Sequence, residues 1–261
     1  MKHRQLKNIF IGLVFFFLYL PIIILVVFSF NSSKMNIIFE GFTPNWYKLL
    51  FSNSELLGAF FNTMLIAVVS TVVSTVIGTM GAVGLNRYQF PFKGLINKLL
   101  YIPIVIPEIV LGISLLSMYT LMKLELGMTT LILSHIAFSI PFVVVSVRSS
   151  LSYEVKTYEE ASKDLGANGF QTFFLVTLPS IMPGVISGAT LAFTLSMDDV
   201  VISYFTAGPG SNTLPLYIYS MIKTGITPDV NAMTSLMLLM TIIILTCSVL
   251  LQGRRIIGDK R

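Results

Sequence analysis

Charge is scarce in this chain: only 11% of its 261 residues are Asp, Glu, Lys or Arg, against about 25% in an average soluble domain. That deficit excludes an ordinary water-facing surface over most of the length. With 54% hydrophobic residues and a mean hydropathy of +0.84, the chain belongs largely in a bilayer. Cysteine is limited to Cys247, which rules out an internal disulfide. Histidine is limited to His3 and His135, too few for a His-based metal centre. His135, alone in an apolar stretch, reads as the donor or acceptor of a helix–helix hydrogen bond. The dipeptide Gly-Lys is absent, so no phosphate-binding G-x-x-x-x-G-K-[ST] loop exists. Without H-E-x-x-H, and with one cysteine, the sequence offers an intramembrane enzyme no machinery. No charge run, low-complexity tract or Ser/Gly linker divides residues 1–261, which read as a single membrane domain.

What is present is apolar length. A bilayer core needs about 20 apolar residues of helix. Six segments qualify: Ile9–Phe30, Phe60–Leu85, Leu100–Met122, Met128–Val147, Ser180–Thr206 and Val230–Leu251. The first exceeds the apolar run of a cleaved signal peptide, and Pro21 within it predicts a kink. The expected fold class is therefore all-α, with six transmembrane helices. If the N-terminus is inside, inner segments hold 13 of the 17 Lys and Arg residues. Outer loops hold Lys34, Lys48, Lys123 and Lys223. Both termini are then expected in the cytoplasm of a multi-pass protein. The net charge of +5 serves topology, so nucleic acid is not an expected partner.

Two connections are longer than hairpins. The outer one, Asn31 to Ala59, holds Phe42, Trp46 and Tyr47, suited to an interfacial aromatic belt or a short surface helix. Asn62-Thr63 then offers an N-cap for the second span. The inner connection, 148–179, parses as two short helices. The first, about Glu154 to Leu165, is expected to turn Tyr158, Ala161 and Leu165 to one side and Glu159, Lys163 and Asp164 to water. Gly166 suits a left-handed C-terminal cap. The second, near Gly169 to Thr177, shows Phe170, Phe173 and Phe174, which imply a protein cover or burial, and Pro179 restarts the chain into the fifth span. Ser70, Ser74, Gly78 and Ala82 in the second span, and Gly184-x3-Gly188 in the fifth, form small-residue faces for close helix packing, within this chain or against a second one.

The inner loop also has a distinctive spacing. From Glu160 it runs Glu-Ala-Ser, three residues, Gly166, nine residues, Val176, one residue, Leu178-Pro179. This resembles the EAA loop of bacterial ABC-importer permeases, E-A-A-x3-G-x9-I-x-L-P, with Ser162 for the second Ala and Val176 for Ile. With the six spans, the outer F-T-P-N-W-Y-K-L-L and the run from Ile102-Pro103 to Leu116, the chain resembles the MetI-like, type I importer permeases along nearly its whole length. The resemblance implies that Glu160, Ala161, Gly166 and Pro179 belong to an ATPase-coupling element that docks in a cleft of a separate nucleotide-binding subunit. It implies no catalytic residue, metal or cofactor here, ATP being bound by the partner.

Two further stretches, Pro107 to Leu116 and Thr194 to Ser203 with Gly208-Pro209-Gly210 beyond, look like PotC-type permeases of spermidine/putrescine importers. That resemblance implies three protein partners, in a bacterial cytoplasmic membrane whose lipid surrounds the chain: a second, PotB-like permease, a PotA-like ATPase homodimer and an extracytoplasmic, PotD-like polyamine-binding protein. Charge points the same way with less specificity. Of 12 acidic residues, Glu108, Asp198 and Asp199 alone fall within the expected spans, where an ionised carboxylate costs about 2.5–3.5 kcal/mol. They are the candidate substrate pathway for a linear polycation. Rise per residue puts Glu108 at mid-depth or in the inner half of its span, and Asp198 and Asp199 near the outer end of theirs. Capping of a helix start by Glu108, or simple access of the aspartates to water, would explain them without a substrate. Tyr204, Tyr217 and Tyr219 suit interfacial anchors, or rings facing a cation. An importer for another organic cation or an amino acid is the nearest alternative. A self-sufficient secondary transporter or channel leaves the EAA loop unexplained.

Overall fold

The structure is a computed structural model that describes residues 2–33, 38–222, 225 and 227–258. Lys34, Lys223, Lys260 and Arg261, counted in the topology above, lie outside the described residues. Twelve α-helices are described: α1 (Lys2–Phe28), α2 (Asn45–Leu49), α3 (Ser54–Arg87), α4 (Lys93–Val105), α5 (Glu108–Leu121), α6 (Met128–Ser149), α7 (Tyr153–Asp164), α8 (Gly169–Thr172), α9 (Leu178–Asp198), α10 (Val201–Thr206), α11 (Leu214–Ser220) and α12 (Pro228–Gly258). Five helical stretches are long and apolar enough to cross a membrane, and a sixth is obtained if the bent pair α4–α5 counts as one span.

Contacts divide the chain into two units, 1–58 with 217–242 and 59–216 with 243–261. In the first, α1 runs unbroken through Pro21 with almost every described apolar side chain uncovered, a state that lipid tolerates. Buried Asn31 organises the outer connection. Its amide donates to Ile38 O at 2.8 Å and its Oδ1 accepts from Glu40 N at 2.9 Å. Phe30 stacks on Phe42 and leans on Tyr47, and Ser29 bonds the Tyr47 hydroxyl at 2.8 Å. The expected aromatic patch with a short helix, α2, is therefore present.

Helix α3 starts earlier than expected. Asn53 Oδ1 accepts from Leu56 N at 3.1 Å, so Asn53 and not Asn62 caps the helix. Asn62 and Thr63 are spent on a tertiary contact: Asn62 donates to Asn212 O at 2.9 Å, and Thr63 Oγ1 accepts from Leu214 N at 2.8 Å. A distant loop with unpaired backbone groups outbid a local cap that a longer helix had made unnecessary.

The second unit is built around α6, which packs against α9, α4 and α10. Small residues permit this. A Cβ on Gly188 would sit 3.1 Å from Val143 Cα, and one on Gly184 would sit 2.9 Å from Ser146 O. Gly78 of α3 gives the same clearance to Val143 and Ile140 of α6. Both small-residue faces thus serve packing within this chain, around a core of Ala82, Val83, Val143, Val144, Val147, Ile181 and Ala192.

Two expected spans are not continuous. Leu100–Met122 is broken, because α4 and α5 meet at 113°. Pro107 drives Ile106 into extended backbone (ψ 138°) and then starts α5. Ser180–Thr206 is interrupted after Asp198, where Asp199 is extended before α10 begins. At its other end it reaches further back than expected. The second loop helix does not stop before Pro179: helix runs from Gly169 to Asp198, through a π-helical segment at Phe173–Thr177. A proline ring collides with the carbonyl one turn earlier, and widening that turn lets the helix pass through Pro179.

Candidate functional site

The loop expected to couple to an ATPase comprises α7, Gly166, α8 and the π segment. Ser152 caps α7. The helix ends in a Schellman motif: Ala167 N donates to Ser162 O at 3.0 Å and Gly166 N to Lys163 O at 2.9 Å, with Gly166 at φ 88°. The cap expected at Gly166 is present. Asn168 and Gln171 then form a reciprocal capping box that starts α8.

Lys163 and Asp164 face water as expected, but the expected buried face of α7 and the place of Glu159 differ. Val155 and Glu159 face inward, whereas Tyr158, Ala161 and Leu165 are exposed, Leu165 to 90%. A carboxylate buries at acceptable cost when a cation and a hydrogen bond meet it. Glu159 has both: an ion pair with Arg87 at the end of α3, and a 2.7 Å hydrogen bond donated by Thr177 Oγ1. Glu160 lies on the outer face, 3.6 Å from Lys156. Phe173 packs on the core, while Phe170 and Phe174 stay largely uncovered. The loop therefore offers Tyr158, Glu160, Leu165, Phe170 and Phe174 outward on a braced base. Ser162, the departure from the second Ala of the motif, bonds Thr172 across the loop at 3.0 Å. Sequence spacing missed both that bond and the Arg87–Glu159 pair.

The carboxylate cluster is built by the two helix breaks. Glu108 is the first residue of α5 and remains exposed. Helix α10 packs against α5, and Gly112 makes room for the Phe205 ring, since a Cβ there would lie 2.6 Å from it. Glu108 is thereby within electrostatic range of Asp198 and Asp199. The 113° bend removes the simple conversion of residue number to depth on which the expected separation of these residues rested.

The two aspartates are unlike. Asp198 is exposed; Asp199 is buried and committed to the fold. Its Oδ1 accepts from Ile202 N at 3.1 Å, and its Oδ2 from Ser203 N and Ser203 Oγ at 2.7 Å each. Asp199 is thus an interior cap for α10. His135 on α6 completes the cluster: Nδ1 is 2.7 Å from Ser196 Oγ and Nε2 is 3.1 Å from Ser203 Oγ. The expected helix–helix role of His135 is observed. Beyond Glu108, Ser114, Ser117 and Thr120 are exposed along α5, each donating to the carbonyl one turn back. Among the described residues no group of His, Cys, Asp and Glu is placed to hold a metal.

Residues 74–254 match the family described as "Binding-protein-dependent transport system inner membrane component". The chain is 44% identical over 257 residues to the spermidine/putrescine transport system permease protein PotC of Escherichia coli K12, covering 98% of this chain and 97% of that one. Its identity to the PotC protein of Haemophilus influenzae is 38% over 251 residues, covering 96% and 98%. To the putrescine transport system permease protein PotI of Escherichia coli K12 it is 37% over 231 residues, covering 86% and 82%. Among solved structures, it superposes on a chain of a bacterial ABC transporter involved in alginate import with a TM-score of 0.73 at 17% identity, covering 97% of this chain and 96% of that one. For the inward-facing MetNI methionine ABC transporter the TM-score is 0.64 at 19% identity, with coverage of 82% and 99%.

Proposed function

Because the chain belongs to the inner-membrane-component family of binding-protein-dependent transport systems and has the type I ABC-importer permease fold, we propose that it is the permease subunit of an ATP-driven importer of spermidine and putrescine. The observation that carries this is the likeness along almost the full length to relatives named for spermidine/putrescine transport. The chain has no nucleotide-binding loop of its own, so ATP is bound and hydrolysed by a separate ATPase dimer that docks on the outward face of α7 and α8. A second permease completes the passage, an extracytoplasmic binding protein delivers the polyamine, and both termini lie in the cytoplasm.

Within this function Glu160, Ala161, Gly166 and Pro179 form the coupling element. Exposed Glu160 and its apolar neighbours meet the ATPase, Gly166 sets the turn, and Pro179 lies in the helix that continues into the membrane. ATP binding favours one arrangement of the ATPase dimer, and the loop biases the spans between inward- and outward-facing states by that differential binding. The polyamine passes Glu108 and Asp198, the two carboxylates of the cluster that remain exposed, while Asp199 holds the break that presents Asp198. Two separated anionic groups stabilise a linear polycation stepwise as it sheds water.

The test is uptake of labelled spermidine into proteoliposomes holding the full complex with its binding protein. Uptake that requires ATP inside and stops without the ATPase is expected. Uptake by this subunit alone would establish a secondary transporter, and failure of polyamines to stimulate ATP hydrolysis would exclude them as cargo.

A further inference from the structure

Arg87 ends α3, Glu159 lies in the middle of α7, and Thr177 closes the π segment at the root of α9. Their side chains meet at one point. Arg87 Nη2 pairs with Glu159 Oε1 and donates to Thr177 Oγ1 at 2.9 Å, and Thr177 Oγ1 donates to the same Glu159 oxygen at 2.7 Å. Thr177 is fully buried and Glu159 is 5% exposed. None of the three belongs to the outward face that meets an ATPase.

We propose that Arg87, Glu159 and Thr177 form a positioning strut that makes α7 move as one body with the end of α3 and the root of α9. By chain connection alone α7 is loosely held. Ser150 to Ser152 precede it, and Gly166 to Asn168 follow it with a left-handed glycine. A pull on its outer face would be absorbed by rotation at Gly166. The triad closes that freedom by tying α7 to α3, far from it in sequence, and, across the turn at 165–168, to the root of α9. One of them, α9, carries Asp198 at its other end, 21 residues beyond Thr177, or about 32 Å at the helical rise. Displacement of α7 is thereby delivered to the helix that presents the exposed aspartate. A buried ion pair adds little net stability over an apolar substitute but fixes a unique arrangement, which suits a transmission element. The proposal rests on the importer function above.

Two measurements on the full complex in liposomes test it. The first is ATP hydrolysed per spermidine taken up, for wild type, Arg87→Glu, Glu159→Arg, the double exchange, and the milder Glu159→Gln, Thr177→Val and Arg87→Lys. The ratio is expected to rise on the order of fivefold or more in the single charge reversals. Glu159→Gln and Thr177→Val should raise it less, and Arg87→Lys and the double exchange should bring it back toward wild type. An unchanged ratio in every variant that assembles, with hydrolysis and uptake falling together, makes the triad a folding element and overturns the strut.

The second measurement needs no transported substrate. Spin labels at exposed positions 88 and 154, in a Cys247→Ser background, report the distance between the end of α3 and α7. It should stay single and unchanged on ATP binding in wild type, and broaden or shift in Glu159→Gln. A wild-type distance that changes with ATP overturns the strut. Loss of spermidine-dependent hydrolysis in wild type would instead overturn the substrate and leave this distance test standing.

Discussion

His135 Nε2 lies 3.4 Å from Asp199 Oδ2, and both side chains are almost completely buried. Hydroxyls of three serines surround the pair. Ser196, 3.2 Å from the Ser70 hydroxyl, bonds His135 Nδ1 at 2.7 Å. Nε2 faces Ser203 and Asp199, and the Ser203 hydroxyl donates a hydrogen bond to the carboxylate. The cluster ties α3, α6, α9 and the start of α10 together beside the two exposed carboxylates.

Replacing His135 by Ala leaves Ser196 and the buried Asp199 each short of a partner. A loss of about 1–3 kcal/mol is expected, seen as a lower melting temperature of the solubilised complex together with weaker uptake. His135→Gln keeps one donor and one acceptor and should lie between Ala and wild type. Equal melting temperatures for all three would remove the cluster from the fold's support.

The two adjacent aspartates should separate cleanly. Asp198→Asn is expected to weaken spermidine uptake, mainly as a higher half-saturating concentration, with the melting temperature unchanged. Asp199→Asn should lower the melting temperature, by about 1–2 kcal/mol of lost capping, before any effect on uptake is considered. Glu108→Gln should behave like Asp198→Asn. Unchanged uptake in both Asp198→Asn and Glu108→Gln would return these carboxylates to the capping and solvation roles open to them from sequence.

At the coupling loop, Glu160→Ala should leave insertion and stability intact, because the side chain is exposed and its contact with Lys156 is a surface pair. ATP hydrolysis should nonetheless separate from uptake. Gly166→Ala places a Cβ on a residue at φ 88° and should cost about 1–2 kcal/mol, with coupling reduced. Full uptake by both variants would sink the assignment of this loop.

Between α6 and α9, Gly188→Leu and Gly184→Val meet Val143 and the Ser146 carbonyl at once. Overpacking of about 1–3 kcal/mol or more is expected, read as loss of inserted protein on blots of the membrane fraction. Gly58, with open space around its Cβ position, should accept Ala with no such loss.

Much of this was legible without coordinates. Long apolar runs announce spans because backbone polar groups must be satisfied inside the segment. Helix α6 begins at Met128 as expected and ends at Ser149, two residues beyond the expected end at Val147. The cap at Gly166 depends on neighbours within five residues, and it too was legible. The failures share another cause. Pro107 and Pro179 look alike in sequence, yet one breaks a helix by 113° and the other is carried through a widened turn. Which outcome follows depends on what each neighbouring segment packs against.

The chain's own pattern of apolar runs, basic residues and the Glu160–Pro179 spacing was enough to determine a multi-span importer permease with an EAA-type loop, since each of these is a local or compositional property. The tertiary structure alone decided that Glu159 is buried while Glu160 is presented, that Asp199 is a cap while Asp198 is open, and that Glu108 lies beside them. For Glu159 and Glu108 the deciding partner, Arg87 or α10, is far away in sequence. Asp199, capped by its near neighbours Ile202 and Ser203, is buried against the distant His135. A charge goes inside only where folding brings a counter-charge or donors to meet it, and no periodicity records that.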